Sequence, residues 1–264
     1  AREQALDVAG LNHACGVAVD SKGALYASSA GESKIKVYDA SHKLLTEISD
    51  ANTPCGLAVT TTGNLYVSER ATGKVVRFKP NKYPFEGTPT YGSAEAIDSS
   101  GKAKGIAVDR TDNRLYVAEG DRIAVYKSDG GFEAAVGEGT LTEASGVAAY
   151  TYSNGTITNR YLWVADAKGL EADRLYLFGG DAEVKSLALR KPLNGLNGTS
   201  TPDGSFGFGA AGAYLAADPG NRSGEKCVAL AAQACSAGHL FLYDAAHKAL
   251  DEFDASGEYV DRTV

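Results

Sequence analysis

The chain has 264 residues, of which 44% are hydrophobic and 22% charged, as in an ordinary globular protein of one or two domains. Its net charge of −7 and the absence of a basic run exclude a typical nucleic-acid-binding surface. No apolar stretch approaches the roughly 20 residues that span a bilayer, so we expect no membrane insertion.

A strand–turn–strand unit repeats along the chain. The first copy is Cys15–Asp20 followed by Ala24–Ser28, the second is Cys55–Val59 followed by Gly63–Ser68, and the third is Lys104–Asp109 followed by Asn113–Ala118. Each copy joins two apolar runs through a short Gly- or Asn-containing turn, which predicts a β-hairpin.

A third run with period-two alternation follows each hairpin, as expected for a strand with one solvated face. These runs are Ile35–Tyr38, Val75–Phe78 and Ile123–Tyr126, and weaker fourth segments follow at Leu44–Ile48 and Phe132–Val136. The sequence therefore predicts an all-β fold built from four-stranded units.

Two looser copies follow. The fourth opens at Gly146, with a predicted insertion at Thr151–Asn159, and the fifth opens near Ala213 and resumes at His239–Asp244. That last segment fits as the second strand of its unit or, in another register, as the third. A degenerate sixth unit would fall within Leu187–Phe208.

The pattern of these units resembles the NHL-repeat family of β-propellers. The resemblance implies a single propeller domain over residues 1–264, with four-stranded blades, five of them visible and five or six in total. The sequence holds no methionine, so either a leader has been removed or the chain is a piece of a longer protein, and we expect part of a longer secreted or cell-surface protein. Because propeller blades converge on a central channel, the first strand of each blade would line it.

The four cysteines suit an oxidising compartment. Cys15 and Cys55 occupy the same position in consecutive blades, so a Cys15–Cys55 disulfide is expected at the channel mouth, with free thiols or a metal site as alternatives. A second disulfide, Cys227–Cys235, would fix the insertion of the fifth unit.

A polar ring is predicted two residues before the cysteine position. Its members are His13, Thr53, Lys102 and Glu143, which suit a polar or anionic ligand, or simply a solvated rim. His42 and His247 lie in Asp-Ala-x-His-Lys turns, where a surface role is expected. Lyases resembling this family use several channel histidines, whereas only His13 lies near the channel here.

No recognised catalytic, metal or cofactor motif occurs, so we predict no catalytic residue, no metal ligand and no cofactor. The sequence favours a non-catalytic extracellular binding or scaffold module that recognises a protein or glycan through its loops and channel mouth. Two alternatives are a structural subunit of a surface layer or filament, with self-association, and a channel-site enzyme of lyase or lactonase type.

Overall fold

A computed structural model describes residues 10–153, 158–167, 173–181, 183–194, 215–217, 239–245, 247–254 and 259–263. The described residues form twenty β-strands and two short 3-10 turns, Ala30–Glu32 and Val184–Ser186. Among them, no helix is long and apolar enough to cross a membrane. The chain divides into two compact units, Ala1–Ala103 and Lys104–Val264, which are described separately below.

Consecutive strands form each sheet. The strands pair antiparallel in chain order, four to a sheet, and there are five such sheets in the described residues. This meander is the architecture of a propeller blade. The all-β prediction and the five four-stranded blades are thus confirmed.

The first unit contains blades 1 and 2. Their strands are β1 (Ala14–Val19), β2 (Leu25–Ser29), β3 (Lys34–Tyr38) and β4 (Leu44–Ser49), then β5 (Pro54–Val59), β6 (Leu65–Glu69), β7 (Lys74–Phe78) and β8 (Glu95–Asp98).

The second unit contains blades 3, 4 and 5. Blade 3 has β9 (Ile106–Asp109), β10 (Arg114–Ala118), β11 (Ile123–Tyr126) and β12 (Phe132–Val136), and blade 4 has β13 (Ala144–Ser153), β14 (Thr158–Ala167), β15 (Asp173–Gly180) and β16 (Ala188–Asn194). Blade 5 has β17 (Leu215–Ala217), β18 (Leu240–Asp244), β19 (Ala249–Phe253) and β20 (Tyr259–Thr263).

The fourth blade differs from its sequence prediction. The described residues of the predicted insertion at Thr151–Asn159, which are 151–153 and 158–159, belong to strands, because the β13–β14 pairing continues to Ser153↔Thr158. Aromatic and β-branched residues favour this extension, and the Tyr150 and Tyr161 rings stack 6.1 Å apart within it. Residues 188–194 of the proposed sixth unit instead form β16, the fourth strand of this blade.

The fifth blade follows the first of its two predicted registers. The strand β18 pairs with β17 on one side and β19 on the other, so residues 240–244 are its second strand.

Side chains of a central blade alternate between two apolar layers. In β14, Leu162 and Val164 pack in the layer shared with blade 3, whereas Trp163 packs in the layer shared with blade 5. Because successive strand residues point to opposite faces, one apolar run serves both neighbours. In the first unit, Ile35 and Leu65 belong to the equivalent layer between blades 1 and 2.

Two of the glycines that open the hairpin copies, Gly16 and Gly105, lie where two first strands approach. A Cβ on Gly16 would lie 2.3 Å from the carbonyl oxygen of Cys55, and one on Gly105 would lie 2.6 Å from that of Ser145. No side chain fits at either distance, so the repeat requires glycine for close backbone packing between neighbouring blades.

Candidate functional site

Three of the four predicted ring residues occupy equivalent positions. His13, Thr53 and Glu143 each immediately precede the first strand of a blade, at β1, β5 and β13. Their carbonyl oxygens accept hydrogen bonds from the backbone N–H of Ala30 (3.2 Å), Arg70 (2.9 Å) and Ala167 (3.1 Å), respectively.

Lys102 departs from this pattern. Its N–H donates to the hydroxyl of Ser100 at 3.1 Å, and it lies in a turn well before β9. By analogy with the other blades, Gly120 would be the backbone partner of Lys102. It pairs instead with Ala144 of the next blade. The side chains of His13, Lys102 and Glu143 are exposed, and Thr53 is half-buried. A ligand-binding role for these four residues stays a prediction.

The Cys15–Cys55 disulfide is confirmed. It joins β1 to β5, with a Cα–Cα distance of 4.9 Å and a sequence separation of 40. The Ser28 hydroxyl reinforces the same junction, because it accepts a hydrogen bond from the Gly16 N–H (2.7 Å) and donates one to the Cys55 carbonyl (2.9 Å). The bond removes free thiols and a metal–thiolate site from this position. Cys227 and Cys235 lie outside the described residues.

Glu143 has a partner that the sequence did not reveal. Its carboxylate forms an exposed ion pair with Lys104, and its backbone N–H donates to the Asp166 carboxylate at 2.5 Å. Asp166 also accepts the N–H of Thr142 at 3.1 Å. The segment leading into β13 is therefore held by the end of β14, and the Glu143 charge is balanced by a lysine.

His42 and His247, which were both expected in surface turns, differ in their exposure to solvent. His42 is exposed, as expected for a surface turn. His247 is half-buried, and its Nδ1 lies 2.6 Å from the buried carboxylate of Asp244.

The connection between β7 and β8 is the feature of the first unit that the sequence analysis missed. Residues 79–94, here called the strap, fold back on themselves, with Asn81 donating to the Thr90 carbonyl and Gly92 to the Lys79 carbonyl, both at 2.9 Å. The only sequence signal was the spacing of 49 residues between Gly56 and Gly105, against 40 between Gly16 and Gly56.

Tyrosine hydroxyls attach the strap to blade 1. Tyr91 is 2.9 Å from Tyr26, hydroxyl to hydroxyl, and Tyr83 is 3.0 Å from the Ser21 hydroxyl. Phe85 makes edge-to-face contacts with both strap tyrosines, with ring centroids 5.2 and 6.0 Å apart. Burial raises the pKa of both Tyr26 and Tyr91 well above the usual value, so the hydroxyl pair stays neutral.

A groove of about 440 Å³ lies between the strap and β4. Ile48 and Phe78, both buried, supply its apolar base. Hydroxyls and backbone form its walls, at Thr46, Ser49 and residues 89–94. The strand β4 is the last strand of its sheet. Its backbone edge on the side opposite β3 therefore has no strand partner in the described sheet.

The titratable groups of the groove suit binding better than proton transfer. A hydrogen bond from Lys34 holds the pKa of Glu47 below its usual range, so this carboxylate stays ionised at neutral pH. Burial keeps Tyr91 neutral. Neither group is poised to exchange a proton near pH 7. Across the part of the chain that the structure describes, no three His, Cys, Asp or Glu side chains converge as metal ligands.

Comparison with known proteins identifies the fold but not a family. No protein-family model matches the chain, and no curated protein sequence matches it. Among solved structures, a nidogen/laminin complex is similar at 15% identity and a TM-score of 0.64, over 95% of this chain and 80% of the other.

Two further similar structures carry enzyme names. A putative gluconolactonase matches at 13% identity and a TM-score of 0.59, over 97% of this chain and 80% of its own. Virginiamycin B lyase from Staphylococcus aureus matches at 14% identity and a TM-score of 0.52, over 95% and 69%. The chain thus has a β-propeller fold, which binding proteins and enzymes share.

Proposed function

We propose that this protein is a non-catalytic extracellular binding module that recognises an extended segment of a partner protein in the groove between the strap and β4. The observation that carries the proposal is the position of this groove along the edge of a sheet. An edge strand offers main-chain donors and acceptors to an added strand, and a groove beside it accepts alternate side chains of the added strand.

The rigidity of the groove supports this function. The strap is fixed by two hydroxyl contacts to blade 1 and by its aromatic cluster, so little ordering is needed when a ligand binds. The Cys15–Cys55 disulfide supports an oxidising, extracellular setting. The nidogen/laminin similarity adds that a propeller of this kind occurs in a protein–protein complex.

A displayed library of random peptides tests the groove directly. We expect the wild-type protein to enrich peptides that bind with micromolar affinity, measured by fluorescence polarisation. Ser93→Trp fills the groove from an exposed position and should weaken binding at least tenfold. Glu86→Trp is the matched control, because Glu86 is exposed on the same strap but does not line the groove.

Two results would contradict the proposal. In the first, no peptide is enriched above a blank surface. In the second, the enriched peptides bind the Ser93→Trp variant as tightly as they bind the wild-type protein.

An enzyme assay separates binding from catalysis. The hydrolysis of gluconolactone is measured with a pH indicator, with and without added divalent cations. We expect no hydrolysis above the rate in buffer alone. A rate that scales with protein concentration and falls at least tenfold in Glu143→Gln would instead favour an enzyme of lactonase type.

A further inference from the structure

The apolar base of the groove has a counterpart in the second unit. The β3–β4 and β11–β12 pairs share one register, with an irregularity at the same place, so Ile48 corresponds to Val136. Phe78 corresponds to Phe178, since each lies on the third strand of its blade and pairs with a leucine of the second strand. The base of the groove is therefore repeated between blades 3 and 4.

In the second unit, a side chain of the protein itself covers this base. The 3-10 turn Val184–Ser186, between β15 and β16, packs against both β12 and β15. Val184 is 2% exposed and belongs to the same apolar cluster as Val136 and Phe178. Over the equivalent base in the first unit, the strap leaves the groove open to a ligand. An aliphatic side chain is therefore the group that packs well on a base of this kind.

One hydrogen bond at the end of β4 shows which of its backbone groups face the free edge. The N–H of Asp50 donates to the Ser33 carbonyl at 2.9 Å, in register with the β3–β4 pairs. Because residues of an antiparallel strand alternate in direction, Ile48 also faces β3, whereas Glu47 and Ser49 direct their N–H and C=O groups away from it. An added antiparallel strand would bond to those two residues. Its residue opposite Ile48 would make the closest side-chain contact.

The charges of the groove favour an uncharged ligand. Among the described residues that line it, Glu47 alone is charged. Its carboxylate already pairs with Lys34 at 2.5 Å and with Lys36 at 3.7 Å. A charged side chain placed on the apolar base would lose its water without gaining a partner. The segment that enters the groove is therefore expected to be uncharged.

We propose that the groove binds an uncharged β-strand of a partner protein, anchored by one valine or isoleucine. The anchor packs over Ile48 and Phe78, as Val184 packs in the second unit, and its two flanking residues pair with the free edge of β4. A β-branched anchor suits a strand, because its side chain is already restricted in rotation there. This inference rests on the proposed function of the groove, and it adds the side chain that is recognised and the register in which the strand binds.

The test changes the ligand, so that the protein stays intact. In a peptide selected on the groove, replacing the anchor by alanine should weaken binding about tenfold, because buried methyl groups are lost. Replacing the backbone amide of either flanking residue by an ester removes one N–H donor and should weaken binding by about three- to tenfold. An ester at the anchor itself is the matched control. It should leave the affinity unchanged in fluorescence polarisation, because that N–H faces away from β4.

Failure of this inference is distinguishable from failure of the groove function. If the selected peptides lose affinity for Ser93→Trp but share no aliphatic position, the groove function stands and the anchor is overturned. Unchanged binding of the alanine peptide overturns it as well. Equal affinities for the esters at the flanking residues and at the anchor overturn the register. If no selected peptide depends on the groove, the proposed function itself fails.

Sedimentation of the protein alone tests a different occupant. We expect the wild-type protein and Ser93→Trp to sediment alike. A wild-type dimer that becomes monomeric in Ser93→Trp would assign the groove to a second copy of the chain and would overturn the proposal.

Discussion

Arg160 joins blades 3 and 4 through a buried ion pair, and its removal is the sharpest test of how the second unit is held together. The side chain is 8% exposed and lies 3.1 Å from the Asp109 carboxylate, with a further ion pair to Asp112. Thr151 also contacts both Arg160 and Asp109. Arg160→Met keeps the apolar length of the side chain but leaves Asp109, itself 3% exposed, without its cation.

Removing one partner of a buried ion pair costs about 3–5 kcal/mol, because the remaining charge stays desolvated. For a domain of this size that corresponds to a fall in Tm of roughly 6–20 °C. Much of this loss is the penalty on Asp109, so the double variant Asp109→Asn/Arg160→Met should recover part of it.

The assay is urea unfolding, followed by tryptophan fluorescence from the buried Trp163 of the same unit. The four proteins of the cycle give the coupling energy between the two residues. A loss below about 1 kcal/mol in Arg160→Met, or strictly additive single variants, would refute the claim that this pair joins the two blades.

Three other perturbations test separate parts of the fold. Replacing Cys15 and Cys55 by alanine should lower the free energy of unfolding by about 4 kcal/mol, measured in urea, because the disulfide closes a loop of 40 residues. Gly16→Ala should cost about 1–3 kcal/mol in the same assay, since the added Cβ meets the next blade. Hydrogen bonding from Arg114 lowers the pKa of Glu133, so this pair stabilises the fold above pH 4–5, and Glu133→Gln should flatten the loss of stability on acidification.

The controls for these three use matched positions. Gly92→Ala places a Cβ 3.8 Å from its nearest neighbour and should be neutral, so an equal loss there would contradict the close-packing argument. Wild type in reductant should lose at least as much stability as the cysteine variant, because reductant also opens the second predicted disulfide, Cys227–Cys235. For Glu133, the folded pKa lies below the unfolded value, so its contribution is lost as pH falls through the folded pKa. A steeper acid response in Glu133→Gln would contradict this sign.

The local sequence determined the blades. Apolar alternation and glycine-containing turns act between residues close in the chain, so they located strands such as β2 and β6, and the repeat predicted which cysteines would meet. The same periodicity placed His13 and Thr53 at equivalent strand starts. Even the fifth blade, with a long insertion after β17, followed one of the two predicted registers.

Tertiary structure decided the contacts between distant residues that the repeat does not encode. The strap lacks strand periodicity, and its role arises only because Tyr91 meets Tyr26 across two blades. Likewise, no sequence pattern pairs Lys104 with Glu143, because side chains of different blades meet only after the sheets pack. Strand period is a property of neighbouring residues, whereas a groove or an ion pair between blades is a property of the packed structure.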